Sequence, residues 1–157
     1  MTPEIRSQIG RAANQLQIED VVLHRSRFDR NGESKSAFAG NARVQHKTGV
    51  GFATVPPTEA GGVDKLHVLV AFGVRLVPES AEGDADDALE SVLCLIEADF
   101  LVIFRLTGEV DEPCLKAFSD HNAVHNAWPF WRQHVFDVTS RARLPTIPIP
   151  LYRRIES

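Results

Sequence analysis

The sequence predicts an α+β fold: a four-stranded antiparallel sheet covered by a long, kinked C-terminal helix, with a short helix at the N-terminus. Three observations carry this expectation. Leu66, Val68, Val70, Phe72, Val74 and Leu76 all fall on one parity, the period of two that marks a strand with one buried face. Val92, Cys94, Ile96, Ala98, Phe100, Val102, Phe104 and Leu106 hold one parity through a second run, and their β-branched and aromatic character favours a long bent strand over a helix. The last third then changes period. Phe130, Trp131, His134, Val135 and Val138 form the apolar stripe of an amphipathic helix reaching about Arg143.

The remaining elements follow in chain order. Thr2 reads as an N-cap with Pro3 at the first helical position, and Ile5, Ile9, Ala12 and Ala13 sit at helical spacing to about Asn14. The alternative for residues 1–14 is a frayed arm. In the stretch LQIEDVVLHRSRFD, Leu16, Ile18, Val22 and Phe28 share one parity while Val21 and Leu23 occupy the other. That pattern predicts a long strand partly covered on both sides. Asn31-Gly32 marks a turn. Residues 41–55 alternate more loosely, and Gly49 and Gly51 are expected to weaken or bulge that strand.

Pro56-Pro57 and Gly61-Gly62 punctuate a surface loop, and the acidic segment 81–87 reads as a solvated hairpin connection. On the second parity of the fourth strand, Leu93, Leu95, Leu101 and Ile103 stand beside Glu97 and Asp99. A face that is apolar in patches calls for cover by a neighbouring subunit or a ligand chain. After Gly108, Cys114, Leu115 and Phe118 begin a helical stripe from about Pro113, which Ala117, Ala123, Val124 and Ala127 extend. Pro129 should kink that helix or open a new one. Pro145, Pro148 and Pro150 alternate with Ile147, Ile149 and Leu151, so residues 144–157 read as an extended Pro-rich tail with missing backbone donors. No repeat or linker is visible, and residues 1–157 read as one domain.

Composition narrows the function. The 157 residues are 43% hydrophobic and 24% charged, with a net charge of −4. An acidic balance lacks the basic stripe of a nucleic-acid binder. No run approaches the ~18 apolar residues of a membrane span, and the N-terminal residues lack a signal-peptide core, so a cytoplasmic protein without membrane insertion is expected. Cys94 and Cys114 show no CxxC spacing and read as buried reduced thiols. His121 and His125 have the i, i+4 spacing of two metal ligands but no accompanying HExxH arrangement or cysteine pair. Ser119, Asp120 and His121 are adjacent without the strand-to-helix elbow that nucleophilic catalysis uses. Glu97 and Asp99 read as solubilising charges on a sticky face, and His134 as a histidine at the core edge. The expectation is a protein that is not an enzyme and holds no cofactor or metal.

Four motifs in order carry a family resemblance. LQIEDVVLHRSRFD from Leu16, IFRLTG from Ile103 to Gly108, WPFWR from Trp128 to Arg132, and SRARLPTIPIP from Ser140 to Pro150 resemble, respectively, the first strand, the end of the fourth strand, the aromatic-Pro-aromatic-x-Arg helix element and the helix exit of the SecB family of bacterial export chaperones. The resemblance covers about Leu16 to Tyr152 at low identity. It implies a SecB-like α+β fold and an ATP-independent chaperone, a homotetramer built as a dimer of dimers, that holds unfolded or nascent polypeptides in long apolar grooves during protein export.

The client-contact residues it implies are Val44, Phe52 and Val55 on the second strand, Trp128 and Trp131 on the helix, and Leu144, Ile147, Ile149, Leu151 and Tyr152 in the tail. The competing reading is packing within the chain or the tetramer, and any of the rings Trp128, Phe130 and Trp131 could fill the helix–sheet core. Asp29, Leu95 and Glu97 match by position the outer-face surface on which SecB proteins dock the SecA motor. Arg25 stands where the typical member carries an acid. The family's C-terminal lid helix and SecA-binding tail have no counterpart in the residues after Tyr152. Some SecB-like proteins guard antitoxins of toxin–antitoxin systems, and the alternative function is a dedicated module for one such partner.

Overall fold

The computed structural model describes residues 1–31, 42–79 and 92–152. The acidic segment 81–87, residues 153–157 and Gly32 of the Asn31-Gly32 turn lie outside the described residues. The chain runs α1 (Pro3–Ala13), β1 (Leu16–Arg30), β2 (Ala42–Val55), β3 (Lys65–Pro78), β4 (Cys94–Leu106), α2 (Glu112–Phe118), a π turn (Ser119–Ala123) and α3 (Val124–Arg141). The strands form one antiparallel sheet in the order β1-β4-β3-β2.

The two strands with the strictest alternation occupy the centre, as burial requires. Leu66, Val68, Val70, Phe72, Val74 and Leu76 of β3 and Cys94, Ile96, Ala98, Phe100, Val102 and Phe104 of β4 are all buried on one face, here called the inner face. Cys114, Leu115, Phe118, Ala123, Val124, Ala127, Trp131 and Val135 cover them from the helical layer. Phe104 meets Phe118 edge-on with centroids 5.0 Å apart, and Phe72 stacks on Trp131 at 5.5 Å and 16°. At the N-terminus the Thr2 hydroxyl accepts from the Ile5 amide at 3.3 Å, the capping role expected of it, and Ile9 and Ala12 are buried.

Three sequence expectations need correction. β2 is not the irregular strand: it pairs with β3 without a register shift from Ala42 to Val55, glycines included. The irregularity is in β1, whose register against β4 slips between Ile18 and Asp20 and again between Leu23 and Arg25. Each extra residue reverses the parity that follows it. Leu16 and Ile18, then Val21 and Leu23, then Ser26 and Phe28 therefore all face inward with their β4 partners. The mixed parity reflects two bulges, not cover on both sides, and most of β1 is exposed.

The third correction concerns Pro129. It lies inside α3 and so opens no new helix, and a π turn precedes it at Ser119–Ala123. Proline cannot donate to the carbonyl four residues back, here His125. The π turn leaves the buried Ser119 hydroxyl without a hydrogen-bond partner among the described residues.

Burial separates the aromatic residues of α3 sharply: Trp131 is 1% exposed and Phe130 47%. Trp131→Ala should lower unfolding free energy by about 3–5 kcal/mol through the cavity it leaves, whereas Phe130→Ala should cost under about 1 kcal/mol. Urea denaturation of both variants followed by circular dichroism checks the contrast, and equal losses would refute this assignment of the core.

Candidate functional site

α3 ends in a left-handed exit that sets the course of the tail. Arg143 has φ of 55°, its amide donates to Ser140 O at 3.3 Å, and the Leu144 amide donates to Thr139 O at 3.0 Å. This paired 5→2 and 6→1 pattern is a Schellman motif, here with an arginine where glycine is usual. The Arg30 guanidinium reaches from β1 and donates to Ala142 O at 2.8 Å, satisfying another terminal carbonyl. The tail turns back along α3. Ile147 and Ile149 enter the core, Arg132 Nε donates to Ile149 O at 3.0 Å, and Trp128 Nε1 donates to Pro150 O at 2.9 Å.

The implied client residues therefore separate into groups. Trp128 and Tyr152 come together, with ring centroids 5.3 Å apart, and His125 lies 5.7 Å from the Tyr152 ring. Trp128 also meets Phe72 edge-on at 5.4 Å, which places it above β3. Val44, at 37% exposure, and the half-buried Phe52 lie on the inner face of edge strand β2. Val50, between them on the same face, was not anticipated and is also half-buried. Leu144 is half-buried against the core and Leu151 is 70% exposed. Val55 pairs with Lys65 on the opposite, outer face, away from these residues. Trp131, Ile147 and Ile149 are enclosed within the chain. As it stands, the open inner-face surface is made by Val44, Val50 and Phe52 of β2, with Trp128, Leu151 and Tyr152 at the helix and tail.

A second exposed apolar surface borders β1. Ile18, Leu23 and Phe28 of β1 and Phe130 and Phe136 of α3 are each exposed by more than a third. Ser26 Oγ and His134 Nε2 lie 3.1 Å apart and join β1 to α3. The His134 ring stacks on Trp131 and meets Phe100 edge-on, each at 6.2 Å. The two-bulge register that turns Leu23 and Phe28 to the same face left only mixed parity as its trace in the sequence.

The outer face carries charge. Asp29 is opposite Leu95 and Arg27 opposite Glu97, so the three positions implied for motor docking do converge, at the rim of a hollow of about 970 Å³. Their acids are already engaged. Arg27 pairs with Asp29 at 2.6 Å and with Glu97 at 3.8 Å, Lys47 also pairs with Glu97, and Arg25 lies 4.0 Å from Asp99. Lys47 reaches Glu97 across Gly73, where any Cβ would meet the lysine stem at 2.6 Å. The hollow is lined by Arg27, Arg30, Lys47 and Arg75 against Asp29 and Glu97, so it offers no acidic field.

Burial pushes the Cys94 thiol up to about 11 and raises Cys114 as well, so both are inert thiols at neutral pH. Both are free and buried. No group of three or more His, Cys, Asp or Glu side chains among the described residues could hold a metal ion. His121 lies in the π turn and His125 in α3. No described helix is long and apolar enough to cross a membrane.

Burial lowers the His134 pKa below the ordinary imidazole value of 6.5; the Asp137 carboxylate opposes this and Arg141 reinforces it. The folded state thus binds fewer protons than the unfolded chain. The contribution of His134 to stability is complete above about pH 6.5 and is lost as pH falls through its lower folded pKa. Thermal unfolding between pH 7.5 and 5 should show a smaller loss of Tm for His134→Phe than for the parent. A parallel pH dependence of the two proteins would show that His134 is not the group responsible.

No family model and no curated protein matches the sequence. Among solved structures, the chain is similar to the Mycobacterium tuberculosis SecB-like chaperone Rv1957 in complex with a ChAD peptide from the Rv1956 HigA1 antitoxin. The TM-score is 0.76 at 19% identity, covering 94% of this chain and 98% of the other. A Streptococcus agalactiae protein of unknown function gives a TM-score of 0.42 at 9% identity, over 87% of this chain and 97% of that one. The antiparallel order β1-β4-β3-β2, the short first helix and the long C-terminal helical layer are thus the SecB-like fold.

Proposed function

We propose that this protein is a chaperone-like binding module that holds a non-native or partly folded polypeptide on the inner-face surface beside β2, without ATP and with no chemical step. The observation that carries the reading is the set of apolar side chains Val44, Val50 and Phe52 on the inner face of edge strand β2, with the Trp128–Tyr152 pair above the adjoining β3. An edge strand supplies backbone groups that an extended client can pair with, and alternate side chains supply the apolar contacts. The similar chaperone was solved with an antitoxin peptide bound, which supports a dedicated client of the antitoxin kind ahead of general service in export.

The working unit in this reading is a cytoplasmic homo-oligomer, a tetramer formed as a dimer of dimers. β1 supports it. The strand is 15 residues long, mostly exposed, and lies at one edge of the sheet, where its outer backbone groups are open to pairing with a second copy. Support for motor docking at Asp29, Leu95 and Glu97 is weaker, because both acids are already paired with cations.

Two measurements test the reading. At stoichiometric excess the protein should delay light scattering by an unfolding substrate. Val44→Asp with Phe52→Asp should weaken client affinity at least tenfold, since burying one such side chain contributes about 1.5–3 kcal/mol. Recovery from the native host should yield one stoichiometric companion if the client is dedicated, and a heterogeneous set of chains if it is not. Unchanged scattering, with no companion recovered, would remove the proposal.

A further inference from the structure

The tail after α3 is held as an extended ligand is held. Among the described residues, no strand pairing engages residues 145–152; their main chain is gripped by side chains. Arg132 Nε donates to Ile149 O and Trp128 Nε1 to Pro150 O, at 3.0 and 2.9 Å. Ile147 and Ile149, two residues apart on an extended backbone, are 5% and 7% exposed, while Pro145, Thr146, Pro148 and Pro150 are exposed. Alternate side chains in apolar sites, with carbonyls met by fixed donors, is the arrangement by which proteins bind extended peptides. The prolines hold the segment extended in advance and lower the cost of ordering it.

The grip is also local. The Leu144 amide bond to Thr139 O sits at the helix exit, and beyond it the segment lies on α3 through two carbonyl contacts, two isoleucines and the Tyr152 ring. β3, by contrast, is bonded along both of its edges. A segment without ladder bonds opens at a lower free energy than the sheet beneath it. Neither clamping contact reads a side chain of the segment, so Trp128 and Arg132 can serve the carbonyls of any extended chain laid in the same place.

We infer that the track along α3 at Trp128 and Arg132 is a binding site for an extended peptide of proline-spaced aliphatic residues. Leu144 to Tyr152 is its built-in occupant, an autoinhibitory strap that a second chain of like chemistry displaces. The inference rests on the proposed client-binding function only for the identity of the displacing chain. Release of the strap bares the sites of Ile147 and Ile149, so displacement would enlarge the apolar surface open to a client.

The test uses the full chain carrying Ile147→Ser and Ile149→Ser, which unseats the strap and leaves the track intact. The probe is a fluorescent peptide of residues 143–152, RLPTIPIPLY. Anisotropy should show at least tenfold tighter binding to the double variant than to the parent, whose own strap competes at high effective concentration. A control peptide with both isoleucines replaced by serine should bind neither protein. A double variant that unfolds cooperatively but ignores the peptide would overturn the inference. So would a double variant that does not fold, since the strap would then be an integral part of the core. Peptide binding without any effect on substrate aggregation would retain the strap and remove the proposed client function; the converse result would do the reverse.

Discussion

The stack of Phe72 on Trp131 determines how the helical layer sits on the sheet. Phe72 occupies the middle of β3, one of the two central strands, and Trp131 lies nearly parallel to it, 16° between planes, with Trp128 closing from the edge. Aromatic pairs of this kind contribute about 0.5–1.5 kcal/mol beyond their area, and their directionality fixes the rotation of α3 about its axis. With Trp131 facing the sheet, Val124, Ala127 and Val135 face it too, at helical spacing. Trp128 and Arg132 are then aimed at the tail, and His134 at Ser26 of β1. One ring contact thereby assigns α3 three tasks along its length: cover, clamp and brace.

That rotation also decides which apolar groups remain outside. Phe136 and Phe130 stay largely exposed, Phe130 with its ring 6.4 Å from Phe100, and Leu23 and Phe28 of β1 face inward but are likewise uncovered. The opposite side of the sheet handles exposure differently. Its patches around Leu95, Leu101 and Ile103 are half-buried and bordered by the Arg25, Arg27, Lys47, Asp29, Glu97 and Asp99 network. Charges and bulges on a long edge strand oppose indiscriminate strand addition. Among the described residues, ion pairs border the apolar patches of the outer sheet face, while the exposed rings of α3 have no such border of paired charges.

How much of this the sequence disclosed follows from period. The inward rows of β3 and β4 were legible because nothing interrupts an alternation of two between Leu66 and Leu76 or between Cys94 and Phe104. β1 was only half legible. A bulge changes parity without changing composition, so Ile18, Val21 and Leu23 read as two faces although they share one. Pro129 drew attention away from the π turn upstream, whose own sequence, Ser119 to Ala123, has no distinguishing residue type. The implied site residues fared unevenly for a related reason. Sequence marks Trp131, Ile147 and Ile149 as apolar but cannot say whether their own chain or another covers them. Val55 differs from Phe52 only by parity, and that alone sends it to the outer face.

The tail joins these points into one physical question, which is why a chain would finish its core with a segment that cannot enter a sheet. A strand in that position would hold Ile147 and Ile149 through backbone ladders and open only with the rest of the domain. Prolines at 145, 148 and 150 remove those donors. The two isoleucines then depend on Trp128, on Arg132 and on the left-handed turn at Arg143, where a non-glycine residue carries a conformational cost of about 1–2 kcal/mol. Proline spacing and an arginine at the exit both act against permanence, while the alternating aliphatic residues act for occupancy. The combination favours a segment that fills its site when nothing else does.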